Sequence, residues 1–278
     1  MRHDILHLKD FYDFLGADGA DPVLEIYLPY NMPEMGRENQ KRPCMVICPG
    51  GAYRFCSERE AEAVALHFLP EGYNVFVLNY STAPHRYPTQ VREVAAAMEL
   101  IHSHADQWNC DPKNIALMGF SAGGHLAASY CAKYNSAEVR EVFPESKPVQ
   151  ASVLCYPVIT ADMKFTHRES MLNLIGHEPS EEETAYHSCE NHVSGQTPPT
   201  FLWHTASDPT VPVINSLFYA KALTEHHVPV ELHIYPFGGH GLSTCDEHTC
   251  DDVSTDTAYA HQWIASLKKW LKNYGRRL

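Results

Sequence analysis

At 278 residues and a formal net charge of −13, the chain has room for one large α/β domain or two small ones. Its acidity, with basic residues clustered no further than pairs such as Lys268-Lys269 and Arg276-Arg277, sets it against phosphate backbones and excludes nucleic acid as an expected partner. An apolar share of 44% and 19 prolines spread along the chain suit a globular fold with many loops.

The stretch Met1–His7 lacks the apolar core of a signal peptide. Val23-Leu24-Glu25-Ile26-Tyr27-Leu28 alternates as a strand and ends at Pro29, and a polar loop runs from Asn31 to Arg42. Cys44-Met45-Val46-Ile47-Cys48 is continuously apolar, as expected of a central strand buried on both faces, and leads into Pro49-Gly50-Gly51-Ala52-Tyr53. Ala61, Val64, Ala65 and Phe68 have helical spacing and close near Gly72. The next strand is Asn74–Leu78, and the next amphipathic helix carries Val91, Val94, Ala95, Met98 and Ile101. Asp111-Pro112 is expected to turn the chain into a buried strand at Asn114–Met118, followed by a helix through Leu126–Ala132. Further strands are expected at Ala151–Cys155, Thr200–His204 and Val230–Tyr235. A helix through Val213, Leu217, Ala220 and Leu223 separates the last two, and another through Trp263, Ile264, Leu267, Trp270 and Leu271 closes the chain. Strands alternating with helices predict an α/β fold whose mostly parallel sheet is covered on both faces. The alternation breaks at Ala161–Pro199, a long polar insertion rich in Glu and His, in which Met171–Gly176 has the pattern of one short helix. No linker divides the chain, so the expectation is one domain over residues 1–278 with a lid-like insertion at about 161–199.

Between the strand at Met118 and the helix at Leu126 lies Gly119-Phe120-Ser121-Ala122-Gly123, a G-x-S-x-G motif in strand–turn–helix context. Such a turn holds a serine at its tip, and side chains at either glycine would collide with neighbouring strand and helix. A serine hydroxyl needs a base within hydrogen-bond reach, usually a histidine held in one tautomer by a carboxylate. In a parallel sheet those partners belong on loops at the carboxyl ends of later strands. Asp208 follows the strand Thr200–His204, and His240 follows Val230–Tyr235, giving the order Ser121, Asp208, His240. Asp162, after the preceding strand, is the rival acid, and His125 reads as a residue of the serine helix. The amide of Ala122 is the first expected oxyanion donor; Gly51 and Ala52, after the early central strand, are the others.

Nine cysteines are an odd number for a disulfide framework, and Cys44, Cys48, Cys110, Cys131 and Cys155 sit in apolar or small-residue surroundings. His240, Cys245, His248 and Cys250 lie close in sequence but lack the paired spacing of a zinc site, so no metal is expected. No apolar run approaches the ~20 residues needed to cross a bilayer. The expectation is a cytoplasmic protein without membrane contact; its oligomeric state stays open, a homodimer included.

Taken together, Pro49–Tyr53, Asn79–Pro84, Gly119–Ala127, Asp208–Pro212 and Gly239–Gly241 resemble an α/β-hydrolase of the esterase group that includes acetyl-xylan esterases and hormone-sensitive-lipase-like carboxylesterases. Thr197–His204 resembles the acetyl-esterase branch. Where the lipase type carries H-G-G-G, this chain reads Pro49-Gly50-Gly51-Ala52. The resemblance implies an α/β-hydrolase fold, a serine acyl-enzyme mechanism without cofactor, and a small-molecule substrate with a short acyl group on a sugar. Tyr53, Tyr80, Tyr156 and Val211 then stand as candidate substrate-binding residues, the tyrosine rings being suited to stack on a sugar. The competing readings are a general short-chain carboxylesterase, a small prolyl-oligopeptidase-like peptidase, and a catalytically silent binding protein.

Overall fold

The structure, a computed structural model, describes residues 1–17, 19–250 and 253–274; Arg276-Arg277 lies outside them. Eight strands form one sheet: β1 (Arg2–His7), β2 (Val23–Leu28), β3 (Arg42–Cys48), β4 (Asn74–Asn79), β5 (Cys110–Phe120), β6 (Ala151–Cys155), β7 (Thr200–Thr205) and β8 (Val230–Tyr235). Their order is β1-β2-β4-β3-β5-β6-β7-β8. The pairs β1–β2 and β2–β4 are antiparallel, and every later pair is parallel.

The helices are α1 (Glu62–Phe68), α2 (Thr89–Ser103), α3 (Ser121–Lys133), α4 (Ala137–Arg140), α5 (Arg168–Ile175), α6 (Glu181–His187), α7 (Ile214–Glu225), α8 (Thr255–Ala260) and α9 (Gln262–Tyr274). Alternation along each central strand sorts them onto two faces. In β3, Cys44, Val46 and Cys48 point into a core shared with α2, α3 and α7, while Met45 and Ile47 point into a second core with α1 and α9. This two-sided burial is why β3 reads as an unbroken apolar run. Cys110, Cys131 and Cys155 are likewise buried among apolar side chains. Among the described residues, no helix is long and apolar enough to cross a membrane.

Three elements differ from expectation. The edge strand β1 is not expected from the sequence, because of its six residues only Ile5 and Leu6 are apolar and Ile5 faces outward; the strand is held by its pairing with β2. Asp111-Pro112 lies inside β5, where the register against β3 shifts between Arg42 and Cys44 and the Asp111 carboxylate accepts the Lys113 N–H. The insertion is more ordered than a long loop. Besides α5 it holds α6, which starts with a capping box between Ser180 and Glu183, and a short 3-10 turn at Cys189–His192. Met171, Leu174, Cys189 and Val193 anchor it in the same core as α2 and α3.

Candidate active site

β5 runs directly into α3, and the junction is tight. A Cβ on Gly119 would lie 2.1 Å from the Gly123 carbonyl oxygen, and one on Gly123 would lie 2.1 Å from that of Cys48. Bare glycine backbones therefore let strand and helix interlock, as the motif predicts. Ser121 takes the cost at the tip, with φ of +51°.

Ser121 Oγ is 2.7 Å from His240 Nε2, and His240 Nδ1 is 2.6 Å from Asp208 Oδ2. Three side chains from loops after β5, β7 and β8 thus form one hydrogen-bonded chain. The Asp208 carboxylate is fixed from its other side: Oδ1 accepts the N–H groups of Thr210 (2.8 Å) and Val211 (2.9 Å). The buried His204 reaches Oδ2 from 3.3 Å. Burial alone would raise the Asp208 pKa, but the hydrogen bonds from His204, His240 and Val211 outweigh it and hold the carboxyl well below its usual range. Asp208 stays an acceptor, which keeps the proton on His240 Nδ1 and leaves Nε2 to face the serine. The rival, Asp162, is exposed and caps the Lys164 N–H.

Ala122 lies in the first turn of α3, where backbone N–H groups lack intrahelical partners. Facing it, the loop after β3 turns through three left-handed residues: Gly51 (φ +123°), Ala52 (+56°) and Tyr53 (+55°). At Gly51 only glycine fits, since a Cβ would lie 2.1 Å from the Phe55 carbonyl oxygen. The insertion fixes this loop: Asn173, on α5, donates to the Ala52 carbonyl at 2.9 Å. Ser121, His240, Gly51, Phe55, Thr210 and His167 line a cleft of about 230 Å³.

Four of the proposed substrate contacts need correction. Tyr53, Tyr80 and Tyr156 are at most 3% exposed, so none presents a ring for a sugar to stack on. Their hydroxyls are engaged in structure: Tyr53 with His125 Nδ1 (2.8 Å), Tyr80 with the Pro49 carbonyl (2.7 Å), Tyr156 with Glu60 Oε1 (2.6 Å). Val211 is buried and acts through its backbone on Asp208 and His204. Sequence reasoning also missed Glu60, His167, Asn173 and His204. Glu60 and Asn173 owe their places to partners distant in the chain and His167 to a loop conformation, whereas His204 closes the Thr197–His204 stretch and meets Asp208 four residues on. Among the described residues no group of three or more His, Cys, Asp or Glu side chains is placed to hold a metal ion; Cys245 is buried with its thiol toward the Ser243 carbonyl.

The model of one protein family, BD-FAE, matches residues 24–223. The chain belongs to the BD-FAE family. It is 35% identical over 246 residues to endo-1,4-beta-xylanase B of Butyrivibrio fibrisolvens, covering 85% of this chain and 37% of that protein. It is 32% identical over 242 residues to an acetylxylan esterase of Xylanibacter ruminicola, covering 85% and 46%. The chain thus spans less than half the length of these two relatives. Against the acetyl ester-xyloside bifunctional hydrolase of Caldicellulosiruptor lactoaceticus the TM-score is 0.84 at 34% identity, over 99% of this chain and 97% of that one. This BD-FAE member has the α/β-hydrolase fold, with the Ser121 turn at the carboxyl end of its central strand.

Proposed function

We propose that this protein is a serine ester hydrolase that removes short acyl groups, acetyl foremost, from acylated saccharides. The observation that carries the reading is the continuous hydrogen-bonded chain Ser121–His240–Asp208 at the mouth of a small cleft. In the mechanism this supports, Ser121 Oγ attacks the ester carbonyl as its proton passes to His240 Nε2, and the buried Asp208 stabilises the imidazolium through Nδ1–H. The oxyanion is held by the Ala122 N–H with those of Gly51 and Ala52. His240 then gives its proton to the leaving alcohol, and a water deprotonated by the same imidazole releases the acid from the acyl-enzyme. The preference for carbohydrate esters draws its support from the names of the xylan-related relatives, and the preference for short acyl groups from the size of the cleft.

The test is a chain-length series of aryl esters beside acetylated xylo-oligosaccharides. The value of kcat/KM should peak at acetate or propionate and collapse by octanoate, because an oversized acyl chain loses more through overlap than the ~0.8 kcal/mol per methylene it gains by burial. Ser121→Ala should lose on the order of 10⁴-fold in kcat and all labelling by a fluorophosphonate. A maximum at octanoate, or indifference to acetylated sugars, would move the protein to the general carboxylesterases. A wild type that the probe does not label would make it a binding protein.

A further inference from the structure

Beside the serine lies a buried carboxylate that the mechanism above does not use. Glu60, at the end of the 3-10 turn Glu58–Glu60, is 2% exposed and lies against the cleft. Its Oε2 accepts the Gly50 N–H at 2.7 Å, at the root of the oxyanion loop. Its Oε1 accepts the Tyr156 hydroxyl at 2.6 Å, and the Tyr156 oxygen in turn accepts the Ser243 N–H at 2.8 Å, three residues beyond His240. Ser243 also donates its hydroxyl to the Arg59 carbonyl. The Tyr156 ring stands edge-on to the His240 imidazole, with 5.1 Å between centroids. One carboxylate therefore joins the loops after β3, β6 and β8, the first of which carries the oxyanion donors and the last the base.

The donor pattern assigns the charge state. Tyr156 accepts from Ser243 and has its own O–H to give, and Gly50 can only donate, so both Glu60 oxygens are placed as acceptors, the pattern of a carboxylate. Burial raises the Glu60 pKa, against the two donors and the positive field of His240 and Arg59. The titratable groups that feel its charge are His240, Arg59, Tyr156, Tyr80, Cys56 and Cys155, and of these only His240 and Arg59 are cationic when protonated. A buried charge is a costly way to hold loops together when neutral pairs could do the same, so its position beside the base is the informative feature.

We propose that Glu60 is a positioning residue for the ester hydrolysis put forward above: it locks the oxyanion loop to the histidine loop and supplies a fixed negative charge that supports the His240 imidazolium. The inference rests on that reading, and wild-type labelling by a fluorophosphonate with none in Ser121→Ala tests the reading separately from Glu60.

The experiment compares wild type, Glu60→Gln and Tyr156→Phe on an aryl acetate across pH, with circular dichroism to check folding. Glu60→Gln removes the charge at nearly constant shape. Its kcat should fall about 10²-fold with KM changed by less than about twofold, and the acid limb of its kcat/KM profile should move to lower pH by about one unit. Tyr156→Phe keeps the charge and cuts the tie to Ser243, so its kcat should fall about tenfold with the acid limb unmoved. A folded Glu60→Gln enzyme with wild-type kcat, or with an unmoved acid limb, overturns the proposal. If Glu60→Gln does not fold, Tyr156→Phe decides: wild-type kcat there overturns it, and the tenfold loss with an unmoved limb supports it.

Discussion

Acid should destabilise this protein well above the range in which its carboxylates titrate, and the source is a buried histidine pair behind the oxyanion loop. His125 Nε2 donates to the His187 carbonyl at 2.8 Å, so Nδ1 is left as the acceptor for the Tyr53 hydroxyl. Burial lowers the His125 pKa to about 4 and that of His187 to about 3. In the unfolded chain both titrate near 6.5, so between that pH and about 4 the unfolded state binds more protons and stability rises with pH. Each histidine contributes a slope of about 1.4 kcal/mol per pH unit below about 6. Between pH 7 and pH 5 the pair should therefore cost on the order of 4 kcal/mol, a large part of the 5–15 kcal/mol typical of a domain. His67, His102, His167 and His192, whose pKa values burial also lowers, act in the same sense.

The assay is urea unfolding at pH 7, 6, 5.5 and 5, followed by circular dichroism, on wild type and His125→Gln. Glutamine removes one titrating group, so its plot of unfolding free energy against pH should be shallower by about 1 kcal/mol per unit on average between pH 7 and pH 5, approaching about 1.4 below pH 6, whatever the variant loses at pH 7. Protonating His125 also removes the acceptor of Tyr53, which sits in the oxyanion loop, so acid inactivation should track the unfolding curve. A wild-type stability flat from pH 7 to pH 5, or an unchanged slope in His125→Gln, would refute the reasoning.

Asp208→Asn should leave the fold intact and cut kcat by about 10⁴-fold by favouring the wrong His240 tautomer, whereas Asp162→Asn should leave steady-state kinetics unchanged. Because Asp208 is held ionised below the usual carboxylate range, the acid limb of kcat/KM should owe nothing to Asp208, and the stability Asp208 contributes should be lost only below about pH 4. Asn173→Ala removes the donor that fixes the Ala52 carbonyl and should lower kcat about tenfold with little change in KM; equal kinetics would show that the loop holds its shape unaided. Gly123→Ala forces a Cβ onto the Cys48 and Pro49 carbonyls, and thermal melting should show a loss of at least about 3 kcal/mol.

The architecture was legible because stretches such as Cys44–Cys48 of β3 and Ile115–Met118 of β5 are buried on both faces and therefore appear as uninterrupted apolar runs. Ser121, Asp208 and His240 could be chosen for the same reason: a parallel sheet brings the loops after consecutive strands to one edge, whatever lies between them in sequence. What stayed hidden depends on pairing across the chain. Glu60 meets Tyr156 across 96 residues, and Asn173 meets Ala52 across 121. No periodicity encodes such contacts. The tyrosines misled because position near a strand end says nothing of which way a ring turns, and here the rings turn inward. The helix α6 did leave a signal, the Ser180…Glu183 capping box, but its run of glutamates hid the amphipathic period.

The long-range bonds also bear on how the insertion can behave. Asn173 donates to the Ala52 carbonyl, Arg86 donates to the Asn173 carbonyl, and the Tyr87 N–H donates to the Leu174 carbonyl at 3.0 Å. Further along, the His187 carbonyl accepts from His125 on the serine helix, and the Cys189 N–H donates to Ile159. Met171 and Leu174 are buried in the core beneath. Lifting α5 away from the cleft would expose those side chains at about 1.5–3 kcal/mol each and strip the oxyanion loop of its support in the same motion. An insertion fastened in this way forms a wall of the cleft. At the rim of the cleft, exposed Arg54 pairs with Glu169 at 3.1 Å and exposed Phe55 stands beside the guanidinium. A single exposed ion pair of that kind is worth less than about 1 kcal/mol, so it can open and close without disturbing Ser121 or His240.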